Sequence, residues 1–389
     1  MKNQVITAFM FLASTFLIIS GCEKELKKIK SDFIVKTDLS KHLTPKEKLG
    51  KEIFFDKNLS SPAGESCATC HDPIHGFEDI KSREESGGAV KTRAGNRNAP
   101  AAAYAAFSPY FHYSDSDSSY VGGQFWDGRA ATLAEQAKGP FLNPLEMNNT
   151  DKSVVVKKIR IAAYANLFDD VYGPNSLENV ETAYDFIVDA IANYEETAEL
   201  NPFDSKYDSY LAGKEQLTEQ ELLGLQLFED EKKGRCAACH PSKPDKQGNP
   251  PMFTDYTYDN LGVPRNPDNP FYKMPKEFNP KGENWIDFGL GTIVKKESEN
   301  GKFKVPTLRN IDLTAPYSHN GYFKTLKEIV HFYNTRDTEK WPAPEVSETV
   351  NKKELGHLGL TDEEEDAIIA FLKTVTDGYN SSQNRSISK

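Results

Sequence analysis

The chain has 389 residues, of which 47 are basic and 58 are acidic, and its formal net charge is −11 at pH 7. This acidic balance argues against nucleic acid as a partner. Once an N-terminal signal is set aside, roughly 350 residues are left, which is enough for two domains of ordinary size.

The N-terminus is typical of an export signal. Lys2 is followed by residues 5–20, which are almost wholly uncharged, and this stretch ends in Ile19-Ser20-Gly21-Cys22. The pattern predicts a signal peptide over residues 1–21, because the apolar stretch is too short for a comfortable membrane-spanning helix. The Ile-Ser-Gly-Cys ending resembles a lipobox, which predicts a lipid on Cys22. The alternative is an ordinary signal peptide with an incidental cysteine.

Residues 22–39 follow the signal and are rich in charged side chains. Such a segment is expected to be a tether between a membrane and a folded domain. The sequence therefore predicts a periplasmic protein whose only attachment to the bacterial membrane is its lipid anchor.

Two segments of the chain repeat the same pattern, residues 43–54 and residues 217–228. In each copy a threonine precedes a glutamate by three positions, which predicts a helix that begins with a capping box. Each copy runs into a Cys-x-x-Cys-His motif. The repeat predicts two related domains, over residues 40–208 and 209–380, with the boundary near residues 200–216.

The two Cys-x-x-Cys-His motifs carry the strongest chemical signal. A single motif could be half of a zinc site or a redox-active dithiol, but two of them in an exported chain predict two covalently bound haem c groups. The thiols would add to the haem vinyl groups, and each adjacent histidine would reach the iron. The predicted attachment residues are Cys67, Cys70, His71, Cys236, Cys239 and His240.

The rest of the chain indicates helices joined by long loops. Residues 178–198 have the apolar spacing of an amphipathic helix, and Thr361 with Glu364 forms another capping-box pattern before a helix. Strand patterns are sparse, while 25 glycines and 22 prolines indicate many turns. The predicted fold is mainly α, with two cytochrome c-like haem domains and long loops.

Several further motifs lie between and after the haem motifs, in a fixed order. The sequence resembles the bacterial di-haem cytochrome c peroxidase family, which includes the MauG-type enzymes, over residues 40–375. The motifs that carry the resemblance are Cys70-His71-Asp72-Pro73, Arg97-Asn98-Ala99-Pro100, Trp126-Asp127-Gly128-Arg129, Leu145-Glu146-Met147 and Val305-Pro306-Thr307-Leu308-Arg309-Asn310.

The resemblance implies a catalytic pocket at the first haem. Glu146 matches the glutamate that handles protons during peroxide cleavage, and Gln136 matches its glutamine partner. Without the resemblance, Glu146 would be interpreted as a solvated surface charge. Trp126 matches a tryptophan between the two haems that helps electrons or holes to cross, a role compatible with that of an ordinary core residue.

The resemblance also bears on the coordination of the first iron. In family members that need reductive activation, a histidine in the loop after the first haem motif blocks this iron. Residues 86–95 contain no histidine. His75 lies close to His71 in sequence and is expected to be a loop residue, and His112 is a remote alternative. We therefore expect a five-coordinate or water-bound first iron that needs no activation.

The second iron needs a sixth ligand to store electrons. Leu326, Ile329, Val330 and Tyr333 share one face of a predicted helix. Peroxidases with a methionine ligand carry it at the position that corresponds to Tyr333, and MauG-type enzymes have tyrosine there. Tyr333 is thus the predicted ligand, and His319 a supporting or inter-haem residue. The alternatives are Met274, Met252 and His331.

A calcium ion between the domains is implied by resemblance alone. Asn98, Thr314 and Pro316 match the positions where family members hold this ion, and their oxygens are suitable ligands for Ca²⁺.

Three functions are compatible with these features. The leading one is a peroxidase that reduces H2O2 at the first haem with electrons that pass through the second. The second is a MauG-like oxidase of a protein or small organic substrate, and the third is a plain di-haem electron carrier. The expected electron donor is a small cytochrome c or cupredoxin, or the quinol pool. A homodimer stays an open alternative to a monomer.

Overall fold

The computed structural model describes residues 42–79 and 86–379, so the predicted signal peptide, the predicted lipidation site Cys22 and the predicted tether lie outside the described residues. Helices make up most of the regular structure of the described residues, the strands are short, and long loops join these elements. No helix among them is both long and apolar enough to cross a membrane. The helices are α1 (Pro45–Phe55), α2 (Cys67–Cys70), α3 (Leu133–Leu142), α4 (Lys152–Arg160), α5 (Asn166–Tyr172), α6 (Val180–Glu195), α7 (Lys206–Leu211), α8 (Glu219–Glu229), α9 (Leu290–Val294), α10 (Leu326–Thr335) and α11 (Asp362–Lys373), and the strands are β1 (His112–Ser114), β2 (Ser119–Val121), β3 (Tyr258–Asp259) and β4 (Phe303–Lys304).

Helices α1 and α6 pack closely against each other. The predicted capping box begins α1, since the Thr44 side chain accepts from the backbone N–H of Glu47, and the Glu47 carboxylate accepts from that of Thr44. A Cβ atom at Gly50 would lie only 1.9 Å from the carbonyl oxygen of Ala190. Glycine at this position therefore allows the two backbones to cross at contact distance.

Helices α8 and α11 repeat this arrangement in the second half of the chain. Thr218 and Glu221 form the capping box of α8. A Cβ atom at Gly224 would lie 1.9 Å from the carbonyl oxygen of Ala367, the same distance as in the first pair. The two opening helices predicted from the sequence repeat thus pack on their partner helices in the same way, and the predicted capping box at Thr361 is also present.

The buried apolar side chains form two clusters, one drawn from residues 49–200 and one from residues 207–375. Tyr207 packs in the second cluster, although the predicted boundary at residues 208 and 209 would place it in the first domain. Met252 lies in the second half of the sequence but packs against the first cluster. The domain boundary itself stays a prediction.

Buried polar contacts join the two halves. The guanidinium of Arg97 donates to both oxygens of Asp287, at 2.6 and 2.7 Å, and to Asp127 at 2.6 Å. In addition, the Tyr104 hydroxyl lies 2.8 Å from the Asp377 carboxylate. Because a buried charge is costly without its partner, these contacts fix how the halves meet.

Candidate active site

A cavity of about 450 Å³ lies between the two halves. Residues from both halves line it, and they include every cysteine and histidine of the two Cys-x-x-Cys-His motifs. All four of these cysteines are free thiols, so neither motif forms a disulfide.

The first motif is held by local backbone contacts. Cys67 and Cys70 are the ends of α2, and the backbone N–H of His71 donates to the carbonyl oxygen of Cys67 at 2.9 Å. The His71 Nδ1 atom lies 3.1 Å from the carbonyl oxygen of Phe77. A carbonyl can only accept, so Nδ1 carries the proton and Nε2 keeps its lone pair. Burial lowers the pKa of His71, which keeps the imidazole neutral and able to bind a metal.

The second motif has the same arrangement. The backbone N–H of His240 donates to the carbonyl oxygen of Cys236 at 2.9 Å, and His240 Nδ1 lies 2.7 Å from the carbonyl oxygen of Phe253. Burial lowers the pKa of His240 to about 4. At each motif, two free thiols and a neutral imidazole with Nε2 available line one cavity. These residue types and their chemistry fit covalently bound haem c.

Glu146 lies in the turn after α3 and lines the cavity, as does Gln136 from α3 itself. Burial raises the pKa of Glu146, while Asn143 and Arg129 lower it. The Asn143 side-chain amide donates to Glu146 Oε1 at 2.7 Å. Sequence analysis missed Asn143, although its position three residues before Glu146 was a usable signal.

The backbone beside Glu146 is fixed by the loop of residues 86–95. The backbone N–H of Ala89 donates to the carbonyl oxygen of Glu146 at 2.8 Å, and a Cβ atom at Gly88 would lie 2.3 Å from the carbonyl oxygen of Leu145. Ser86, Gly87 and Gly95 from this loop line the cavity. The loop thus supplies small residues to the wall next to the carboxyl group.

Trp126 lines the cavity and is held from both halves of the chain. Its indole Nε1 donates to the carbonyl oxygen of Asn98 at 2.9 Å, and its own carbonyl oxygen accepts from the backbone N–H of Lys304 at 2.8 Å. Asp127, the next residue, binds Arg97 and Arg129. The Trp-Asp-Gly-Arg motif is therefore a junction between the halves.

Tyr333 lines the cavity on the same face of α10 as Leu326, Ile329 and Val330, which confirms the predicted helix face. Burial raises the pKa of its hydroxyl group. His331 points elsewhere: its Nδ1 lies 2.9 Å from Glu365 and its Nε2 lies 3.3 Å from Glu339. Neither His331, Met252 nor Met274 lines the cavity. Of the four candidate ligands, Tyr333 is the one that lines the cavity.

The remaining histidines named from the sequence separate into two groups. His75 lies 3.8 Å from Asp72, and His112 lies on the exposed strand β1, and neither lines the cavity. His319 does line it, with its ring stacked on Phe303 at 3.6 Å and its Nε2 3.9 Å from Glu345. The role of His319 as a supporting or inter-haem residue stays a prediction.

Asn98, Thr314 and Pro316 lie together, as the resemblance implies, and Glu78 joins them. Asn98 Nδ2 donates to the carbonyl oxygen of Pro316 at 2.7 Å and lies 3.4 Å from Glu78 Oε1. The Thr314 side chain lies close enough to the Glu78 carboxyl group to favour its ionised form. The buried Glu78 Oε2 has no hydrogen-bond partner among the described residues, and burial raises the pKa of Glu78. This oxygen-rich cluster, which we refer to as the cation pocket, fits a hard divalent ion.

Comparisons with known proteins agree with this geometry. A family model described as di-haem cytochrome c peroxidase matches residues 44–216. The chain is 37% identical to the methylamine utilization protein MauG of Paracoccus denitrificans over 350 residues, which is 85% of this chain and 88% of the relative. It is 33% identical to the cytochrome c551 peroxidase of Nitrosomonas europaea over 329 residues, covering 84% of this chain and 79% of that one. The crystal structure of the diheme peroxidase BthA from Burkholderia thailandensis superposes with a TM-score of 0.77 and 32% identity over 87% of each chain.

Proposed function

Because the chain belongs to the di-haem cytochrome c peroxidase family, we propose that it reduces H2O2 to water in the part of the cavity that contains Cys67, His71 and Glu146. It is an oxidoreductase of the peroxidase type. When bound, the two haem c groups supply the irons at which peroxide is reduced and between which electrons pass. The balance is that H2O2, two electrons and two protons give two molecules of water.

Glu146 is the residue that moves protons in this proposal. Burial raises its pKa, so the carboxyl group can hold a proton, and the hydrogen bond from Asn143 to Oε1 leaves Oε2 to exchange it. We assign Oε2 to take the proton from one peroxide oxygen and to return it to the departing oxygen, which is general acid–base catalysis. Gln136 lines the same cavity and would orient the peroxide.

Electrons would enter through the second half. Trp126 connects the backbones of both halves and lines the cavity, so it is assigned to the passage of electrons between them. Tyr333 is assigned as the sixth ligand of the second iron, since it is the candidate that lines the cavity. The expected donor is a small cytochrome c or cupredoxin or a quinol, and the net charge of −11 favours a basic donor protein.

A MauG-like oxidase is the second candidate function. Two observations favour it. Tyr333, which lines the cavity, occupies the position at which peroxidases with a methionine ligand have that methionine, and the chain is 37% identical to MauG. Such an enzyme would withdraw electrons from a protein or small organic substrate. A plain electron carrier is disfavoured, because it has no use for the partly buried carboxyl group of Glu146.

One experiment separates the three functions. The fully oxidised holoprotein is mixed with one equivalent of H2O2, its absorption spectrum is followed, and reduced cytochrome c is then added. Rapid oxidation of the cytochrome, with two equivalents consumed per H2O2, supports the peroxidase. A long-lived oxidised spectrum that persists after the donor is added supports the oxidase, and an unchanged spectrum would show a carrier.

We also propose that the cation pocket binds Ca²⁺ through Asn98, Thr314 and Pro316, with Glu78 close by to balance the charge. Calcium at 100 times its Kd adds about 2.7 kcal/mol to the free energy of unfolding. The melting temperature of the holoprotein should therefore fall when a chelator is added, and this difference should be smaller in Glu78→Gln. Glu65→Gln is the matched control, because Glu65 is also buried with an unpartnered oxygen but pairs with Lys91 instead. An equal melting temperature with calcium and with chelator contradicts the site.

The membrane anchor is proposed at Cys22. In fractionated cells, the Cys22→Ser variant should be found in the soluble periplasmic fraction, while the native chain should be found in the membrane fraction.

A further inference from the structure

Glu195 is a buried carboxyl group that the proposed reaction does not use. It is the last residue of α6, its side chain lines the cavity, and only 6% of its surface is exposed. Its Oε2 atom has no hydrogen-bond partner among the residues that the structure describes. Burial raises the pKa of Cys67, the first attachment cysteine, and a negative charge on Glu195 raises it further.

The second half shows that the fold does not require a carboxyl group at this position. The contact of Gly50 with Ala190 corresponds to that of Gly224 with Ala367, which aligns α6 with α11. One residue further on, Ile191 and Ile368 both line the cavity, and four residues beyond these are Glu195 and Leu372, which also line it. An apolar residue thus occupies the equivalent place in the second half.

The charges on the elements packed around α6 do not stabilise an ionised Glu195. On α1, Lys46 pairs with Asp189 and Lys51 with Glu199, and on α3 Lys138 pairs with Asp185. On α4, Lys152 pairs with Glu181, Lys158 donates to the carbonyl oxygen of Ser60, and Arg160 donates to that of Leu177. No ion pair of the described residues includes Glu195.

The other carboxyl groups of this part of the cavity have partners that Glu195 lacks. Glu65 pairs with Lys91, Glu78 contacts Asn98, and Glu146 accepts from Asn143. The negative end of the α6 dipole adds to the cost of a charge on Glu195. Burial, with a smaller contribution from Glu196, raises the pKa of Glu195 to about 8. The carboxyl group can therefore gain or lose a proton close to neutral pH, and a change of charge in the cavity can decide which form is present.

We propose that Glu195 is a redox-linked proton site that takes up a proton when the haem attached at Cys67 and Cys70 is reduced and releases it when that haem is oxidised. An added electron makes the cavity more negative, which favours the neutral carboxyl group at Oε2. Proton and electron then enter together and leave together, so the charge balances. The inference rests on haem attachment and extends the proposed function, because each electron needed for peroxide reduction would bring a proton into the cavity with it.

The consequence is a pH-dependent potential at one haem. Between the two pKa values of Glu195, one for each oxidation state, each electron brings one proton. The potential should then fall by about 59 mV for every tenfold decrease in proton concentration. Leu372 cannot titrate, so the second haem should show no such dependence from the equivalent position.

The test is a spectroelectrochemical titration of both haems in the holoprotein from pH 5 to pH 10. The variants are Glu195→Gln, which keeps the shape, and Glu195→Leu, which copies the second half. The control is Glu196→Gln, because Glu196 is the exposed neighbour. The first-haem slope should be present in the native protein and the control, and it should be lost in both Glu195 variants.

A native protein without a slope at the first haem overturns the proposal, and so does a native-like slope in either Glu195 variant. If Glu195→Leu does not fold, Glu195→Gln decides alone. The measurement needs no peroxide, so a protein that shows the slope but does not turn over H2O2 would refute the peroxidase function and leave this inference intact.

Discussion

The two halves of the molecule share a structural frame, by which we mean the helix crossing and the position of the motif histidine. They differ in the side chains that line the cavity wall. In each half two helices cross at a glycine, Gly50 in the first half and Gly224 in the second. Nδ1 of each motif histidine forms a hydrogen bond with the carbonyl oxygen of a phenylalanine. In the first half the wall includes Glu146 and Glu195, whereas Tyr333 and Leu372 line the second.

This difference teaches which residues determine chemistry in this fold. The frame places two thiols and a neutral imidazole in the cavity in the same way twice, so it suits haem attachment and says nothing about the reaction. The second half also lines the cavity with carboxyl groups: Asp259 and Glu354 accept from the side-chain amide of Asn351, and Asp287 binds Arg97. Glu345 lies 3.9 Å from His319 Nε2, and its Oε1 has no hydrogen-bond partner among the described residues. We therefore propose that the functional asymmetry comes from Glu146 and Glu195 in the first half and from Tyr333 in the second.

The largest expected effect is on catalysis. Glu146→Gln should lower the rate of peroxide turnover by roughly 100- to 10,000-fold, because the amide cannot take and return a proton. Turnover is measured with reduced cytochrome c, and haem content is measured to show that both groups are still attached. The matched control in the second half is Glu354→Gln, which should retain nearly all of the activity. A similar loss in both variants would mean that the halves do not divide the chemistry as proposed.

The second prediction tests the shared frame. Gly50→Ala and Gly224→Ala should each reduce the free energy of unfolding by about 3 kcal/mol, because the new methyl group meets a backbone carbonyl that cannot move without separating the helices. Denaturant unfolding of the holoprotein measures this.

Gly139→Ala is the control for this second prediction. Gly139 lies within helix α3, and its new Cβ atom would meet only a ring atom of Phe125, at 3.8 Å. This substitution should leave the free energy of unfolding unchanged or raise it slightly. If one of the two crossing variants is as stable as the native protein, the two helix pairs are not equivalent.

The frame could be predicted from the sequence because its signals are local. A capping box spans four residues, a haem motif spans five, and the apolar face of α10 follows from helical spacing, which correctly placed Tyr333. Each of these features is specified by residues that are close together along the chain.

Parts of the site could not be predicted because they depend on segments that are distant in sequence. Glu78 joins the cation pocket only when the loop after the first motif meets Thr314, and Arg97 meets Asp287 only when the halves are packed together. Glu195 was covered by the predicted helix of residues 178–198, but its direction into the cavity follows from how α6 crosses α1. Burial and pairing of charges are properties of this packing, not of spacing.

The smallest expected effect concerns the two capping boxes, which look identical in sequence but differ in their surroundings. Glu47 accepts from the backbone N–H of Thr44 at an exposed helix end. Glu221 makes the same contact and also binds Lys206 Nζ at 2.6 and 2.8 Å, with both side chains largely shielded from water.

Glutamine preserves the capping contact in both halves, so substitution removes only the charge. Glu47→Gln should cost about 0.5 kcal/mol, from the loss of a negative charge near a helix N-terminus. Glu221→Gln should cost about 1.5 kcal/mol, because Lys206 also loses its charged hydrogen-bond partner. Thermal unfolding at low salt and at 1 M salt measures the cost of each substitution. Salt screens exposed charges more than buried ones, so the difference between the two costs should shrink at 1 M salt only to the extent that water reaches the Lys206 pair. Equal costs at low salt would show that the Lys206 pair contributes nothing, and that the two helix starts are equivalent in energy as well as in pattern.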